Sequence, residues 1–329
     1  MVTSSHTMVS PGMRRDRITD LPDDVLGHVL SFLPTAEAGR AAALCRRWRY
    51  IFGHVHTVWY EEREGDGSSD WGSFYFEANK FRTCRNALLT GISGALLCRR
   101  RCAGTHVPLR SVRLAFDDFK PAWDALHVDR WLNYVLQNSD RELQLDLRFR
   151  LGPICAGDRY RFANDNDDDT DSDSDDDDDH QTGSGLYLLP RRLFSCAALK
   201  TLSLGHCRLK LPAEVNLPFL ETLRLTGILN DSGRSVQRLV LSCPRLADLT
   251  LEAVRHLRTL FVLHRPLRHF ALRCCHTAKS VHVDASELLS LEYRGAVPAD
   301  SLLTLHGSPP HQYSCTFHFC MLSCGRVMD

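Results

Sequence analysis

The chain has 329 residues, of which 43% are apolar, and this length allows one small and one larger folded unit. Its thirteen cysteines are odd in number and irregularly spaced, and we expect no secretory signal in the first twenty residues, which argues against a disulfide-stabilised secreted protein. No stretch approaches the roughly 18 apolar residues that span a bilayer, so we expect no membrane insertion. These features predict a folded protein of the cytoplasm, the nucleus or both.

The formal net charge is zero, but the charges are unevenly distributed along the chain. The run from Asp165 to Asp179 holds 11 of the 40 acidic residues, so the rest of the chain has 29 acids against 40 bases, a net charge of +11. This basic excess keeps nucleic-acid binding open as an alternative function. The bases are dispersed, however, and no nucleic-acid-binding motif accompanies them.

The N-terminal sequence predicts a disordered leader over residues 1–16 and a helical unit over residues 17–52. Apolar residues there recur with the spacing of one helical face, at Val25, Leu26, Val29, Leu30 and Leu33. Pro22 suits the first turn of this helix and Pro34 ends it. Thr35 is then placed to cap a second helix.

Residues 53–106 are predicted to be a linker and a helical connector between two modules. The polar, Gly-rich composition of residues 61–73 is typical of a linker, and residues 74–104 have a helical pattern.

A repeated pattern, Leu-x-x-Leu-x-Leu or a close variant, begins at Leu199, Leu220, Leu246, Leu267 and Leu288, at spacings of 21, 26, 21 and 21 residues. These spacings are typical of leucine-rich repeats, in which each unit supplies one strand and a return segment. Residues 109–114 and 142–147 have weaker forms of the pattern. We therefore predict an α+β fold: a small helical module, then a repeat domain over residues 107–306, with short parallel strands and helical or irregular return segments.

An acidic insertion interrupts the predicted repeats at about residues 155–184, where so many like charges cannot pack together. Thr170, Ser172 and Ser174 each have an aspartate three residues later, a pattern that resembles the site of an acidophilic kinase. The alternative is that this tract only keeps the insertion solvated.

The segment from Asp16 to Pro34, with Leu-Pro at residues 21–22 and Leu-Ser-Phe-Leu-Pro at residues 30–34, is followed by Arg-Trp-Arg at residues 47–49. It resembles the F-box of plant F-box/leucine-rich-repeat (FBD-like) proteins. The departures are Cys45, where the family usually has serine, and the bland Ala41–Ala43. The resemblance implies docking on the Skp-type adaptor of a cullin ubiquitin ligase through Leu21, Pro22, Leu26, Val29, Leu30, Leu33, Leu44 and Trp48. A helical unit of about forty residues cannot bury all of these side chains against itself.

The repeats resemble those that follow such F-boxes, which implies that they recruit the protein to be ubiquitylated. The leucines of the pattern are predicted to be core, so only the positions between them can select a target. Such positions are occupied by Arg224, Thr250, Arg268, Arg273 and Glu292, although at each of them simple surface exposure is the alternative.

Catalytic and metal-binding functions find little support in the sequence. The cysteines near histidines, such as Cys274 and Cys275 beside His276, lack the paired C-x-x-C spacing of zinc sites. No nucleophile elbow or phosphate-binding loop is present, so we predict a non-catalytic adaptor without cofactor or metal. The alternatives are a repeat scaffold that acts without a ligase and, less favoured, a basic nucleic-acid-binding protein.

The C-terminal residues 307–329 are predicted to be a shortened tail, because the family resemblance implies further strands beyond about Cys320. A solenoid needs a polar cap at its last repeat. We therefore expect the chain from Leu288 onward to be frayed.

Overall fold

The computed structural model describes residues 18, 20–61, 89–100, 107–116, 119–150, 186–228, 234–254, 256–296, 302–306 and 314–319. The predicted leader, most of the connector, the acidic insertion with Thr170, Ser172 and Ser174, and most of the predicted tail lie outside the described residues. The predicted α+β architecture, with N-terminal helices followed by parallel strands, is confirmed.

Three short helices form the N-terminal part of the described chain, which we call the helical module: α1 (Asp23–Leu30), α2 (Thr35–Leu44) and α3 (Arg46–Ile51). Pro22 and Pro34 directly precede α1 and α2. Helix α1 ends three residues before the predicted Leu33, because the N–H groups of Phe32 and Leu33 bond to carbonyls three residues back. This tightening of the last turn brings the chain to Pro34.

The sequence predicted that Thr35 caps α2, but its hydroxyl makes no capping hydrogen bond. It instead accepts a hydrogen bond from the backbone N–H of Trp59 at 2.7 Å. The hydroxyl of Ser31 similarly accepts one from the N–H of His56 at 3.2 Å. Trp59 lies in strand β1 (Thr57–Glu61), at the edge of a large sheet. The helical module therefore satisfies backbone donors of an edge strand that would otherwise be open to pairing.

Among the described residues, nine parallel strands form the main sheet, in the order β1, β2 (Leu109–Ala115), β3 (Ser139–Arg148), β5 (Leu199–Gly205), β7 (Thr222–Thr226), β8 (Asp248–Glu252), β10 (His269–Arg273), β12 (Ser290–Gly295) and β14 (Ser314–Phe319). The sheet begins at β1, before the predicted start of the repeats near residue 107, and that start stays a prediction. Val58 and Tyr60 are the buried residues of β1, which alternate with less buried ones. This strand lacks the leucines by which the repeats were recognised.

The leucines of the repeated pattern form straight rows along the buried face of the sheet. One row joins Leu202, Leu223, Leu249, Phe270 and Leu291, and each of these side chains is at most 2% exposed. The sheet continues beyond Leu288 through β12 and β14, and all six residues of β14 are exposed. Whether this end frays remains a prediction.

Return segments differ along the chain. Several of the earlier ones contain helices: α4 (residues 89–100), α5 (Pro121–Gln137), a 3-10 turn (Arg191–Ser195) and α6 (Arg234–Leu241). The later ones are the strands β9 (Thr259–Leu263), β11 (Ser280–Asp284) and β13 (Leu303–His306), which pair in a second parallel sheet. The prediction of only helical or irregular returns is therefore wrong for this half. The 26-residue unit from Leu220 has room for α6, whereas the 21-residue units from Leu246 and Leu267 return through β9 and β11.

Four successive strands of the main sheet, β5, β7, β8 and β10, are each followed by a residue with left-handed backbone conformation. His206, Gly227, Ala253 and Cys274 have φ between 49° and 58°. Their N–H groups still bond to the next strand; the N–H of Gly227, for example, donates to the carbonyl of Glu252 at 2.7 Å. A Cβ atom at Gly227 would lie 2.5 Å from the His206 ring, so this corner requires glycine for its space.

The described residues just before and just after the acidic insertion meet in an aromatic cluster. Phe149 follows β3 and Tyr187 lies in β4 (Tyr187–Leu188), which pairs with β6 (Cys207–Arg208), and their ring centroids are 4.5 Å apart. Phe116 and Phe119 complete the cluster. The hydroxyl of Tyr187 also donates to the carboxylate of Asp129 on α5.

Candidate functional site

The helical module presents an apolar surface that the rest of the described chain does not cover. Its members are 37% to 81% exposed, and we call this surface the apolar docking face: Leu21, Val25, Val29, Phe32, Leu33 and Leu44. Large apolar side chains grouped in this way are typical of a protein-binding surface. Four of them were predicted from the sequence, whereas Val25 and Phe32 were not.

Leu26 and Leu30 do not belong to this face. They are 1% and 2% exposed and lie in the chain's own core, so the prediction that they contact an adaptor directly is wrong. Helix α1 has two apolar stripes with i, i+4 spacing, and only one of them, Val25 and Val29, points outward. Of the other predicted residues, Pro22 is exposed and Trp48 is half-buried against the core.

An ion pair fixes the position of the chain at the start of this face. The guanidinium of Arg47 on α3 donates to the carboxylate of Asp23 at 2.8 and 3.0 Å and to the carbonyl of Leu21 at 2.6 Å. Both charged groups are partly exposed, so the pair itself stabilises the fold only weakly. Its effect is local, because it orients the turn that carries Leu21.

The repeat strands present a second surface, opposite to the buried rows. Arg224 and Thr250 lie side by side in one row of this outward face, which continues through Ala271 to Glu292. Arg273 lies in the next row. Arg268 precedes β10, outside these rows, and is 3.6 Å from the Glu287 carboxylate. The structure thus places four of the five predicted target-binding residues on one face.

Arg273 and Glu292 bind each other through two hydrogen bonds of 2.6 and 2.8 Å. The hydrogen bond from Arg273 lowers the pKa of Glu292, and the hydrogen bond to Glu292 raises the pKa of Arg273. Both side chains therefore remain charged at neutral pH. Arg273 also lines a cavity on the outward face, whereas Glu292 lies outside the lining of this cavity.

The cavity has a volume of about 420 Å³ and lies at the carboxyl ends of β3, β5, β7, β8 and β10. Arginines from separate strands and loops line it: Arg148, Arg150, Arg224 and Arg273. Glu252 is the carboxylate in the described lining. Sequence reasoning did not identify Arg148 and Arg150, because they follow the weaker β3 pattern and lie far from the other two arginines along the chain.

His206 lies beside this cavity and is 6% exposed. Burial, and secondarily the charge of Arg150, lower the pKa of His206 to about 4. The imidazole is therefore neutral at neutral pH and adds no positive charge to the cavity.

Among the described residues, no group of three potential metal ligands is close enough together to bind a metal ion. Burial raises the pKa of the Cys243 and Cys275 thiols to about 12 and raises that of Cys207 further, so these side chains are protonated and poor nucleophiles. No described helix is long and apolar enough to cross a membrane.

Two family models match this chain. Residues 18–61 match the family "F-box-like", and residues 179–302 match "FBD-associated F-box protein At5g56370, LRR repeats". The chain carries an F-box-like region followed by FBD-associated leucine-rich repeats. The match to the F-box covers the whole helical module together with β1.

The relatives of this F-box/repeat chain are plant proteins from Arabidopsis thaliana. It is 25% identical to F-box/LRR-repeat protein At4g14103 over 245 residues, which are 73% of this chain and 50% of the relative. It is 26% identical to FBD-associated F-box protein At4g10400 over 282 residues, 84% of this chain and 55% of the relative. The chain thus spans about half the length of these curated relatives. No solved structure matches it.

Proposed function

We propose that this chain is the substrate-recruiting subunit of a Skp-cullin-F-box ubiquitin ligase. The apolar docking face of the F-box binds the Skp-type adaptor and through it the cullin core, and the outward face of the repeats binds a target protein. The chain itself is a non-catalytic adaptor that acts in the cytoplasm, the nucleus or both. The observation that supports this proposal best is the uncovered apolar docking face, in a region that matches the F-box family.

This face can contribute to an interface. Full burial of one exposed large apolar side chain contributes about 1.5–3 kcal/mol, and because these six residues are already partly buried, their burial offsets only part of the entropy cost of association. Contacts of this kind are typically dominated by a few residues at the centre. Val29 and Phe32, which are 48% and 72% exposed, supply apolar surface that the fold itself does not use.

The first test is adaptor capture by a Val29→Asp/Phe32→Asp double variant. Because a partner would bury these carboxylates without a counter-charge, we expect binding to a purified Skp-type adaptor to weaken at least a hundredfold, about 3 kcal/mol. Calorimetry or a quantitative pull-down measures this loss. Leu126→Asp is the matched control, because Leu126 is an exposed leucine (68%) on α5, away from the F-box.

The control should bind like the unaltered chain, and both variants should keep its thermal stability. Undiminished capture by the double variant would contradict the proposal and would favour a repeat scaffold that acts without a ligase.

Two exposed cysteines allow a second readout on the unaltered chain. Cys45 lies next to Leu44 at the junction of α2 and α3, and Cys315 lies on β14 at the far edge of the sheet. Bound adaptor should slow alkylation of Cys45 and leave that of Cys315 unchanged, as measured by peptide mass spectrometry. Equal rates at Cys45 with and without adaptor would place the interface elsewhere.

A further inference from the structure

Two imidazole rings meet beside the apolar docking face. The Nδ1 atom of His28 on α1 lies 3.1 Å from the Nε2 atom of His56, which directly precedes β1. The ring centroids are 5.4 Å apart, so the rings approach each other through their edges. In such a contact one nitrogen atom donates a hydrogen and the other accepts it, so the two rings share one proton between them.

The backbone anchors one ring of this pair. Helix α1 packs closely on the turn before β1 because Gly27 has no side chain; a Cβ atom there would lie 2.5 Å from the Cβ atom of His54. The hydroxyl of Ser31 donates to the carbonyl of Gly27 at 2.8 Å and accepts from the N–H of His56 at 3.2 Å. The carbonyl of His56 accepts from the N–H of Arg110 on β2 at 2.9 Å. His56 is therefore tied to both α1 and the main sheet.

The ring of His28 connects this anchor to the apolar docking face. It also contacts the ring of Phe32 edge to face, with the centroids 4.9 Å apart. Phe32 follows the end of α1 and is 72% exposed. An exposed ring loses conformational freedom when a partner buries it, and a ring that is already held loses less. A His28 ring that is fixed by His56 therefore lowers the entropy cost of docking Phe32.

The shared hydrogen makes this support dependent on protonation. One added proton leaves a nitrogen atom that can still accept, so the bond persists. With a second proton both nitrogen atoms carry a hydrogen, so the bond is lost and two positive charges repel each other. Burial lowers the pKa of His56 below its ordinary 6.5, and three basic groups lower it further: Arg110 on β2, His28 itself and Arg99 on α4. The bond is therefore present above pH 6.5 and is lost as the pH falls below it.

The nearest acidic residue along α1 does not offset this second charge. Asp24 lies one turn before His28, but its Oδ1 atom is 3.0 Å from the Nδ1 atom of His54. Its side chain is also 86% exposed, so water and salt screen its charge.

We propose that His28 is a positioning residue of the apolar docking face, and that its bond to His56 makes adaptor docking sensitive to pH. This inference rests on the proposed function and adds a regulation to the same site. Docking is tightest while the two rings share a hydrogen. It weakens on acidification, because two charged rings separate and Phe32 loses its support.

The test measures the affinity of the full chain for a purified Skp-type adaptor by calorimetry between about pH 7.5 and 5.5, on both sides of the ordinary histidine pKa. His56→Gln keeps a hydrogen-bonding side chain that gains no proton in this range. On acidification, the affinity of the unaltered chain should fall at least fivefold more than that of His56→Gln. Because the two chains are compared at each pH, any titration of the adaptor itself cancels.

His306→Gln is the matched control. His282 on β11 and His306 on β13 form a second pair of rings, with a nitrogen–nitrogen distance of 3.3 Å, outside the F-box. Loss of this pair should leave the pH dependence of adaptor affinity like that of the unaltered chain. Circular dichroism at each pH verifies that all three chains are folded. A pH dependence of His56→Gln that parallels that of the unaltered chain would overturn the proposal.

A readout without adaptor separates this inference from the proposed function. In the isolated full chain with isotopically labelled phenylalanine, the NMR signal of Phe32 is identified by its absence from Phe32→Leu. It should shift on acidification in the unaltered chain and much less in His56→Gln. If it does so while no chain captures the adaptor at any pH, the ligase assignment fails and the positioning of Phe32 stands. The same pH dependence of this signal in both chains would refute the positioning role itself.

Discussion

The imidazole of His206 is kept neutral by its buried position at a corner of the repeats. It follows β5 with φ 53°, its N–H bonds to the carbonyl of Thr226 at 2.8 Å, and its ring lies against Gly227. Burial lowers its pKa from 6.5 to about 4. The folded chain therefore binds this proton less readily than the unfolded chain does, and protonation favours unfolding.

This linkage predicts a pH-dependent stability with a defined window. The contribution of neutral His206 is fully present above pH 6.5 and is lost progressively as the pH falls towards about 4. At most it amounts to about 3 kcal/mol. His206→Asn, which tolerates the left-handed backbone, should show a shallower decline in the free energy of unfolding over this window. Urea titrations at several pH values measure the difference, and parallel curves for the two chains would rule out the assigned role.

The two stripes of α1 show which site residues could be predicted and which could not. The sequence pattern identified a helix with apolar side chains at Val25, Leu26, Val29 and Leu30. It could not tell which stripe faces the core, because both have i, i+4 spacing and similar side chains. That choice depends on where β1 and α3 lie. The same reason explains why Arg148 was missed, since only the register of β3 with β5 brings it to the cavity.

At the scale of elements, the strand pattern was the most predictable feature. Each Leu-x-x-Leu-x-Leu segment became a strand of the main sheet because a period of two residues allows only one face to be buried. The return segments were less predictable. Thr-Leu-Phe-Val-Leu at β9 is short and mostly apolar, and such a run does not distinguish a strand from a turn of helix.

The aromatic cluster at the ends of the acidic insertion predicts that the insertion can be shortened. Deleting residues 164–180 removes roughly half of the segment between Phe149 and Tyr187, which lowers the entropy cost of closing that loop by about 0.5 kcal/mol. We expect the melting temperature to rise by no more than about 2 °C. Differential scanning calorimetry measures it.

Phe149→Ala is the contrasting variant, because it removes a buried ring from the cluster and should cost about 3–5 kcal/mol. A large loss of stability on deletion alone would mean that residues 164–180 contribute to the fold.

At the scale of the whole molecule, the F-box and the repeats share one hydrophobic core. Leu26 and Leu30 belong to the same cluster of buried residues as Val58 on β1 and the leucines of the repeats. Ser31 and Thr35 add hydrogen bonds to the backbone beside and within β1. We therefore expect the described chain to unfold as one cooperative unit, although solenoids can lose cooperativity between distant repeats.

Leu30→Ala tests this coupling. Because Leu30 is 2% exposed, the substitution should lower the free energy of unfolding by about 2–5 kcal/mol. Amide hydrogen exchange should show reduced protection of backbone N–H groups at β7 as well as in the F-box. Val29→Ala, at an exposed position one residue earlier, should change stability by less than about 0.5 kcal/mol. Protection at β7 that is insensitive to Leu30→Ala would indicate two independently unfolding units.

The order of strands in the main sheet also sets the distance between the F-box and Arg224. Four strand spacings separate β1, next to the F-box, from β7, which carries Arg224. Neighbouring strands are about 4.8 Å apart, so the two positions are separated by about 20 Å. A target bound beside Arg224, as the proposed function requires, would lie at this fixed offset from the F-box. Its lysines available for ubiquitin transfer would then be selected by their distance from the bound segment rather than by the sequence around them.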